Sequence, residues 1–169
     1  GAGGLGAAEI GHLRVPSDEP GGLPELEQVA SGWGIGRLAR KVATQVVEEG
    51  GAWSVLDGAG GSIERITAVQ IADAAARGDE RSQDVLARAR GALAFALTQA
   101  VALLAPKRII LGGGVSMMGD ALWFDPIRAL VDDQVFRPFR GTFDIIPAAL
   151  GEEVVVHGAL ELARDALAD

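Results

Sequence analysis

At 169 residues, with 49% apolar and 22% charged residues, the chain has the length and composition of one soluble globular domain with a buried core. A net charge of −8 speaks against a nucleic-acid surface, which needs a basic face, and the lack of any cysteine excludes disulfides and thiolate metal sites. The longest uncharged stretch, residues 91–106, is short for a bilayer and carries Thr98 and Gln99, and no basic-then-apolar leader opens the sequence, so a cytoplasmic protein without membrane contact is expected.

Residues 1–30 are rich in Gly and Pro, and Pro16, Pro20, Gly21, Gly22 and Pro24 forbid long regular elements there. A helix is expected over about 34–49, with Ile35, Leu38, Val42 and Val46 on one face and Gly50-Gly51 as its stop. Residues 52–65 read as a surface loop. Thr67 with Gln70 makes a capping box and Ile66 can staple onto Ile71, opening a helix that runs to about Arg77 and stops at Gly78. The longest helix starts near Asp79, carries the stripe Leu86, Leu93, Leu97, Val101 and Leu104, and ends at Pro106. Its loss of all charge after Arg90 predicts a second half buried on every side.

A short strand over 107–111 then leads into Gly112-Gly113-Gly114. A helix over about 120–133, an irregular link at 136–140, a strand over 143–147 and a final helix over 152–168 with a Val156/Leu160/Ala163/Leu167 face complete the chain. Strand, glycine loop, helix, strand and helix in that order imply an α/β fold, a parallel sheet packed by helices. With two or three strands the sheet is incomplete, as expected of a chain truncated at its N-terminus.

Two places carry candidate chemistry. Glu9 and His12 in Glu9-Ile10-Gly11-His12 combine an acceptor carboxylate with an imidazole that donates or accepts, the pair a sugar hydroxyl needs. Read alone they are equally two polar residues on a glycine-rich surface loop. Gly112-Gly113-Gly114 after a strand lets backbone approach a flat or anionic ligand, although a tight turn explains the same residues, and no Gly-Lys-Ser/Thr follows to make a Walker loop. Ser116 either helps there or caps a helix. Trp33, Trp53 and Trp123 read as core or interface anchors, His157 as a satisfied, partly buried histidine, and Arg137 and Arg140 as a solvated turn.

Glu9-Ile10-Gly11-His12, then Leu26-Glu27 running into Ala30-Ser31-Gly32, then Ile109-Ile110-Leu111-Gly112-Gly113-Gly114 resemble the C-terminal half of the ROK family of sugar kinases and sugar-responsive regulators. The resemblance spans nearly the whole chain. It implies the C-terminal part of an actin-like (ribonuclease-H-like) ATPase fold, with residues 1–32 as a sugar-contacting loop region and 33–169 as the α/β body. It further implies that Glu9, His12 and Glu27 bind sugar hydroxyls and that Gly112, Gly113 and Gly114 line the adenosine side of a nucleotide site. Without the family, Glu27 is a solvated first-turn acid.

The implied reaction is transfer of the ATP γ-phosphoryl group, with Mg²⁺, to a hexose or amino-hexose such as glucose, in a homodimeric protein. The family's phosphate loop and its catalytic Asp after an Asn have no counterpart here, so this chain on its own is expected to be inactive. The alternative is a sugar-sensing transcriptional regulator of the same family, with its DNA-binding module outside these residues. One departure stands out: the family's cysteine-rich zinc loop is replaced by residues 13–24, which offer Asp18 and Glu19 but no thiol, so zinc is not expected.

Overall fold

The computed structural model describes residues 9–17 and 21–168. The glycine-rich opening, the Asp18-Glu19-Pro20 part of the proline-rich loop and the Leu167 side chain lie outside the described residues. The described chain is mostly helical, with seven α-helices and one two-stranded parallel sheet. The sheet is thus a smaller part of the architecture than an α/β reading suggests.

The first helices form where the loop chemistry changes. α1 (Leu26–Ala30) is a single turn opened by Glu25, whose backbone N–H donates to Gln28 Oε1 at 3.1 Å. Ser31 separates it from α2 (Gly32–Glu48), and its hydroxyl accepts from the Gly34 N–H at 3.1 Å, an N-cap of the ordinary kind. The joint is tight: a Cβ on Gly34 would lie 2.7 Å from the Gln28 carbonyl. α2 buries Ile35, Leu38, Ala43 and Val46, the face its spacing predicts. The stretch expected as a loop holds a short helix, α3 (Ser54–Gly58), and a 3₁₀ turn at Ile63–Arg65.

α4 (Ala68–Ala76) starts at the expected box, with the Thr67 N–H donating to Gln70 Oε1 at 2.8 Å and both Ile66 and Ile71 fully buried. α5 (Glu80–Leu104) is the spine. Asp79 caps it by accepting from the Ser82 N–H at 2.8 Å, and the same carboxylate accepts from the Trp53 indole at 2.9 Å. By length and composition α5 could cross a membrane, yet α1, α2, α4 and α6 pack along it, and the buried alanines 89, 92, 94 and 96 let them approach from several sides. Its last turn departs from the expectation of all-round burial: Leu103 and Leu104 are exposed, because the chain turns away at Ala105, the one described non-glycine residue with positive φ, and Pro106.

β1 (Arg108–Leu111) pairs in parallel with β2 (Asp144–Pro147) in the register Arg108↔Asp144 to Leu111↔Pro147, clamped at one end by a two-pronged Arg108–Asp144 ion pair. Ile109 and Leu111 pack toward the core while Ile110 faces outward, the alternation a sheet covered on one side requires. The crossover is not one regular helix. A π turn at Asp120–Phe124 precedes α6 (Asp125–Gln134), which places Trp123 and Phe124 consecutively in the core. α7 (Val154–Ala168) rests chiefly on the 3₁₀ turn at Gly151–Glu153, with Val156 and Leu160 exposed. His157 is accordingly exposed and not partly buried, its Nε2 lying 3.7 Å from Glu153 Oε2. Trp33 is exposed at the start of α2, so of the three tryptophans only Trp53 and Trp123 are core anchors.

Candidate functional site

The segment around Glu9 and His12 is a short hairpin. Ile10–His12 form a 3₁₀ turn, after which the Val15 N–H donates to the Pro24 carbonyl at 3.0 Å and the Leu26 N–H to the Leu13 carbonyl at 2.9 Å, with Arg14 and Glu25 as the bridge between them. Val15 is fully buried and pins the hairpin to the core. The pairing carries His12 to the foot of α1, where His12, Glu25 and Glu27 each offer a ligand atom within 4.8 Å of the others. Gly11 lies against Glu27: a Cβ there would come 3.7 Å from Glu27 Oε2.

His12 and Glu27, read from sequence as one site, are therefore neighbours. Glu9 is exposed at the entry to the turn and is not part of this cluster. The member that sequence reasoning missed is Glu25. Its Oε2 lies 3.3 Å from His12 Nδ1 and its Oε1 3.2 Å from an Arg14 guanidinium nitrogen. The available signal was weak: an acid three residues before Gln28, and an opposite charge at Arg14 whose facing depends on the hairpin register.

The donor set does not suit a structural zinc, which is closed by thiolate and imidazole ligands. Here one imidazole stands with two carboxylates, its Nδ1 is already engaged by Glu25, and the second oxygen of Glu25 faces a guanidinium, a cation in the place a metal would need to approach.

The glycine loop comes to the same place, Gly112 and Val115 lining one cleft with Gly11 and Glu27. Gly113 has φ +84° and ψ 173°, a region open essentially to glycine alone, and Gly119 repeats it before the π turn. Ser116 is not an N-cap: it is buried in the intervening 3₁₀ turn, where its hydroxyl donates to the Gly113 carbonyl at 2.6 Å. Arg90 donates to the Leu122 carbonyl at 2.8 Å, tying the π turn to α5, and burial pushes its guanidinium below the usual arginine value. Arg128 donates to the Ile145 carbonyl and to Asp120 and Asp125, tying the same turn to β2.

Between hairpin and loop lies a cleft of about 160 Å³, lined by Gly11, Glu27, Ser31 and Leu93 on one side and by Gly112 and Trp123 on the other. A larger, mostly apolar cavity of about 460 Å³ opens behind the loop, among Gly114, Val115, Met117, Met118 and the α4 residues Val69 and Ala72. Trp123 is fully buried and its indole N–H has no hydrogen-bond partner among the described residues. The arrangement offers a polar lip with carboxylate and imidazole, a glycine floor, and an apolar chamber beyond.

The chain is similar to known proteins. The model of the ROK family matches residues 1–166. The chain is 31% identical over 166 residues to the glucokinase of Thermotoga maritima, covering 96% of this chain and 50% of that protein. It is 35% identical over 167 residues to the glucokinase of Streptomyces coelicolor, covering 94% and 51%. A ROK family glucokinase from Streptomyces griseus, solved in complex with glucose and AMPPNP, superimposes with a TM-score of 0.78 at 32% identity, over 94% of this chain and 52% of that one. The chain thus spans about half the length of the relatives it matches.

Proposed function

Since the chain belongs to the ROK family of sugar kinases and is glucokinase-like, we propose that it forms the sugar- and adenosine-binding half of an ATP-dependent hexose kinase, the C-terminal part of an actin-like fold. The observation that carries the reading is the cleft lined by Gly11 of the hairpin, Glu27 of α1 and Gly112 of the loop. A sugar placed at its polar lip meets acceptors from Glu27 and His12, with Glu9 at the entry, and the chamber behind Gly114 takes the flat base of ATP. The γ-phosphoryl group would pass from ATP to a sugar hydroxyl, with ADP leaving and the hydroxyl proton going to a base, and Mg²⁺ would neutralise phosphate charge. Glucose is the hexose favoured, from the T. maritima and S. coelicolor relatives and from the ligand of the S. griseus structure. The homodimer and cytoplasmic setting of the resemblance belong to the same proposal.

Phosphoryl transfer is mainly positioning and charge stabilisation, and this chain supplies positioning groups without the family's Asn-Asp base motif. Alone it is therefore expected to bind without turnover. Calorimetric titration of the 169-residue chain with glucose, and separately with AMPPNP, tests the reading. Weak binding of both ligands, with Glu27→Gln weakening only the glucose signal, is expected. No heat with either ligand, or glucose binding indifferent to Glu27, overturns it.

A further inference from the structure

We propose that Glu25 is the positioning residue of the sugar site: its carboxylate fixes the tautomer and ring plane of His12 without a metal. The inference rests on the sugar-site reading above and adds to it a role for a residue that the sequence marks only weakly. An ionised carboxylate only accepts hydrogen bonds, so the 3.3 Å contact from His12 Nδ1 to Glu25 Oε2 places the ring hydrogen on Nδ1. In the neutral ring Nε2 is then the unprotonated nitrogen and accepts. The hydrogen bond made by one imidazole nitrogen sets the role of the other.

Glu25 is suited to be the fixed member of the pair. Its side chain is 24% exposed, against 61% for His12 and 60% for Arg14. Its backbone N–H is engaged by Gln28 Oε1, its backbone bridges to Arg14 across the hairpin, and its second oxygen is held by the Arg14 guanidinium. Two restraints thus act on the Glu25 backbone and one on its carboxylate, which in turn holds the imidazole.

A consequence for specificity follows. A ring nitrogen of His12 and a Glu27 oxygen lie within 4.8 Å of one another, so with Nε2 left as an acceptor the lip reads its ligand as a pair of hydroxyl donors. A sugar lacking one of those hydroxyls leaves a polar group unpaired and is rejected.

The experiment is long-range ¹⁵N–¹H imidazole NMR on the 169-residue chain without ligand, at a pH where the rings are neutral. The chain has two histidines, so the variant His157→Gln assigns His12. The wild-type chain is expected to show His12 with the hydrogen on Nδ1. In Glu25→Ala the ring should shift toward the Nε2–H form, and glucose affinity should fall roughly tenfold, the low end of what loss of a histidine's outer partner costs at metal sites. Glu25→Asp should restore part of both, which a purely structural role would not do. Should Glu25→Ala lose the hairpin, Glu25→Gln keeps its shape and should give a mixture of tautomers.

A wild-type His12 with its hydrogen on Nε2, or a tautomer unmoved by Glu25→Ala in a folded chain, overturns the proposal. So does a shift of the His12 nitrogens on adding one equivalent of Zn²⁺, which would make the cluster a metal centre. The tautomer is read without sugar, so a switch in Glu25→Ala with no glucose binding by the wild type would sustain the brace and overturn the sugar-site reading alone.

Discussion

The hairpin and the glycine loop face each other across one cleft, yet they are built by opposite means. On the hairpin side, side chains do the work: His12, Glu25 and Glu27 are charged or polar and lie within 4.8 Å of one another, with His12 and Glu25 in contact at 3.3 Å. On the loop side, backbone does it. Gly112 and Gly113 offer no side chain, Gly113 holds a conformation closed to other residues, and Ser116 spends its hydroxyl on the loop itself. Exchanging a functional group should therefore damage the first side, and adding a single methyl group the second.

Four substitutions test that contrast. The largest effect is expected from Gly34→Ala, whose new Cβ would meet Gln28 backbone at 2.7 Å and force α1 off α2. A loss of about 3 kcal/mol in denaturant unfolding is expected, with glucose affinity falling alongside because Glu27 rides on α1. Here a methyl group would break the side-chain half, which limits the contrast to the cleft lining itself. Gly113→Ala should cost about 2 kcal/mol and, on the proposed function, weaken AMPPNP binding while leaving glucose affinity unchanged, and equal loss of both ligands would refute the division.

Asp79→Ala probes the shared scaffold and should weaken both sides together. Removing the cap of α5 and the Trp53 acceptor is expected to cost about 1.5 kcal/mol. Burial, the largest influence, pushes the Asp79 carboxyl up, but hydrogen bonds from Ser82, Trp53 and Ser54 outweigh it and hold the group below the ordinary carboxylate range. A depressed folded value means its stabilisation is full above about pH 4 and lost as pH falls through the folded value. Acid unfolding curves of wild type and variant should converge there. The smallest expected change is Glu27→Gln, with unfolding unaltered and glucose affinity down about tenfold. A parallel loss of AMPPNP affinity would show that the two halves are not separable.

Local chemistry made some elements legible and hid others. The Thr67/Gln70 box and the Gly78 stop define α4 within a residue, because both signals act over one turn. α1 and α3 escaped notice at five residues each, too short to show a period. The π turn was invisible for a related reason: a 3.6-residue pattern cannot announce an extra residue at Trp123–Phe124. The exposed end of α5 misled because apolar composition records what prefers burial, not what covers it. His12 and Glu27, which the motif puts in one candidate site, are neighbours, whereas the place of Glu25 beside them depends on a cross-strand register spanning a proline-rich loop.

The distances along the chain between these contacts bear on how the molecule assembles. His12 meets Glu25 across 13 positions, whereas Arg108 must wait for Asp144, 36 positions away. Short separations close quickly, and long ones are slow because the entropy of a large loop must be lost before any contact rewards it. The hairpin can therefore be in place early. The glycine loop takes its shape only when β2 docks beside β1, so the cleft is completed late, by the arrival of a strand that contributes no side chain to its lining.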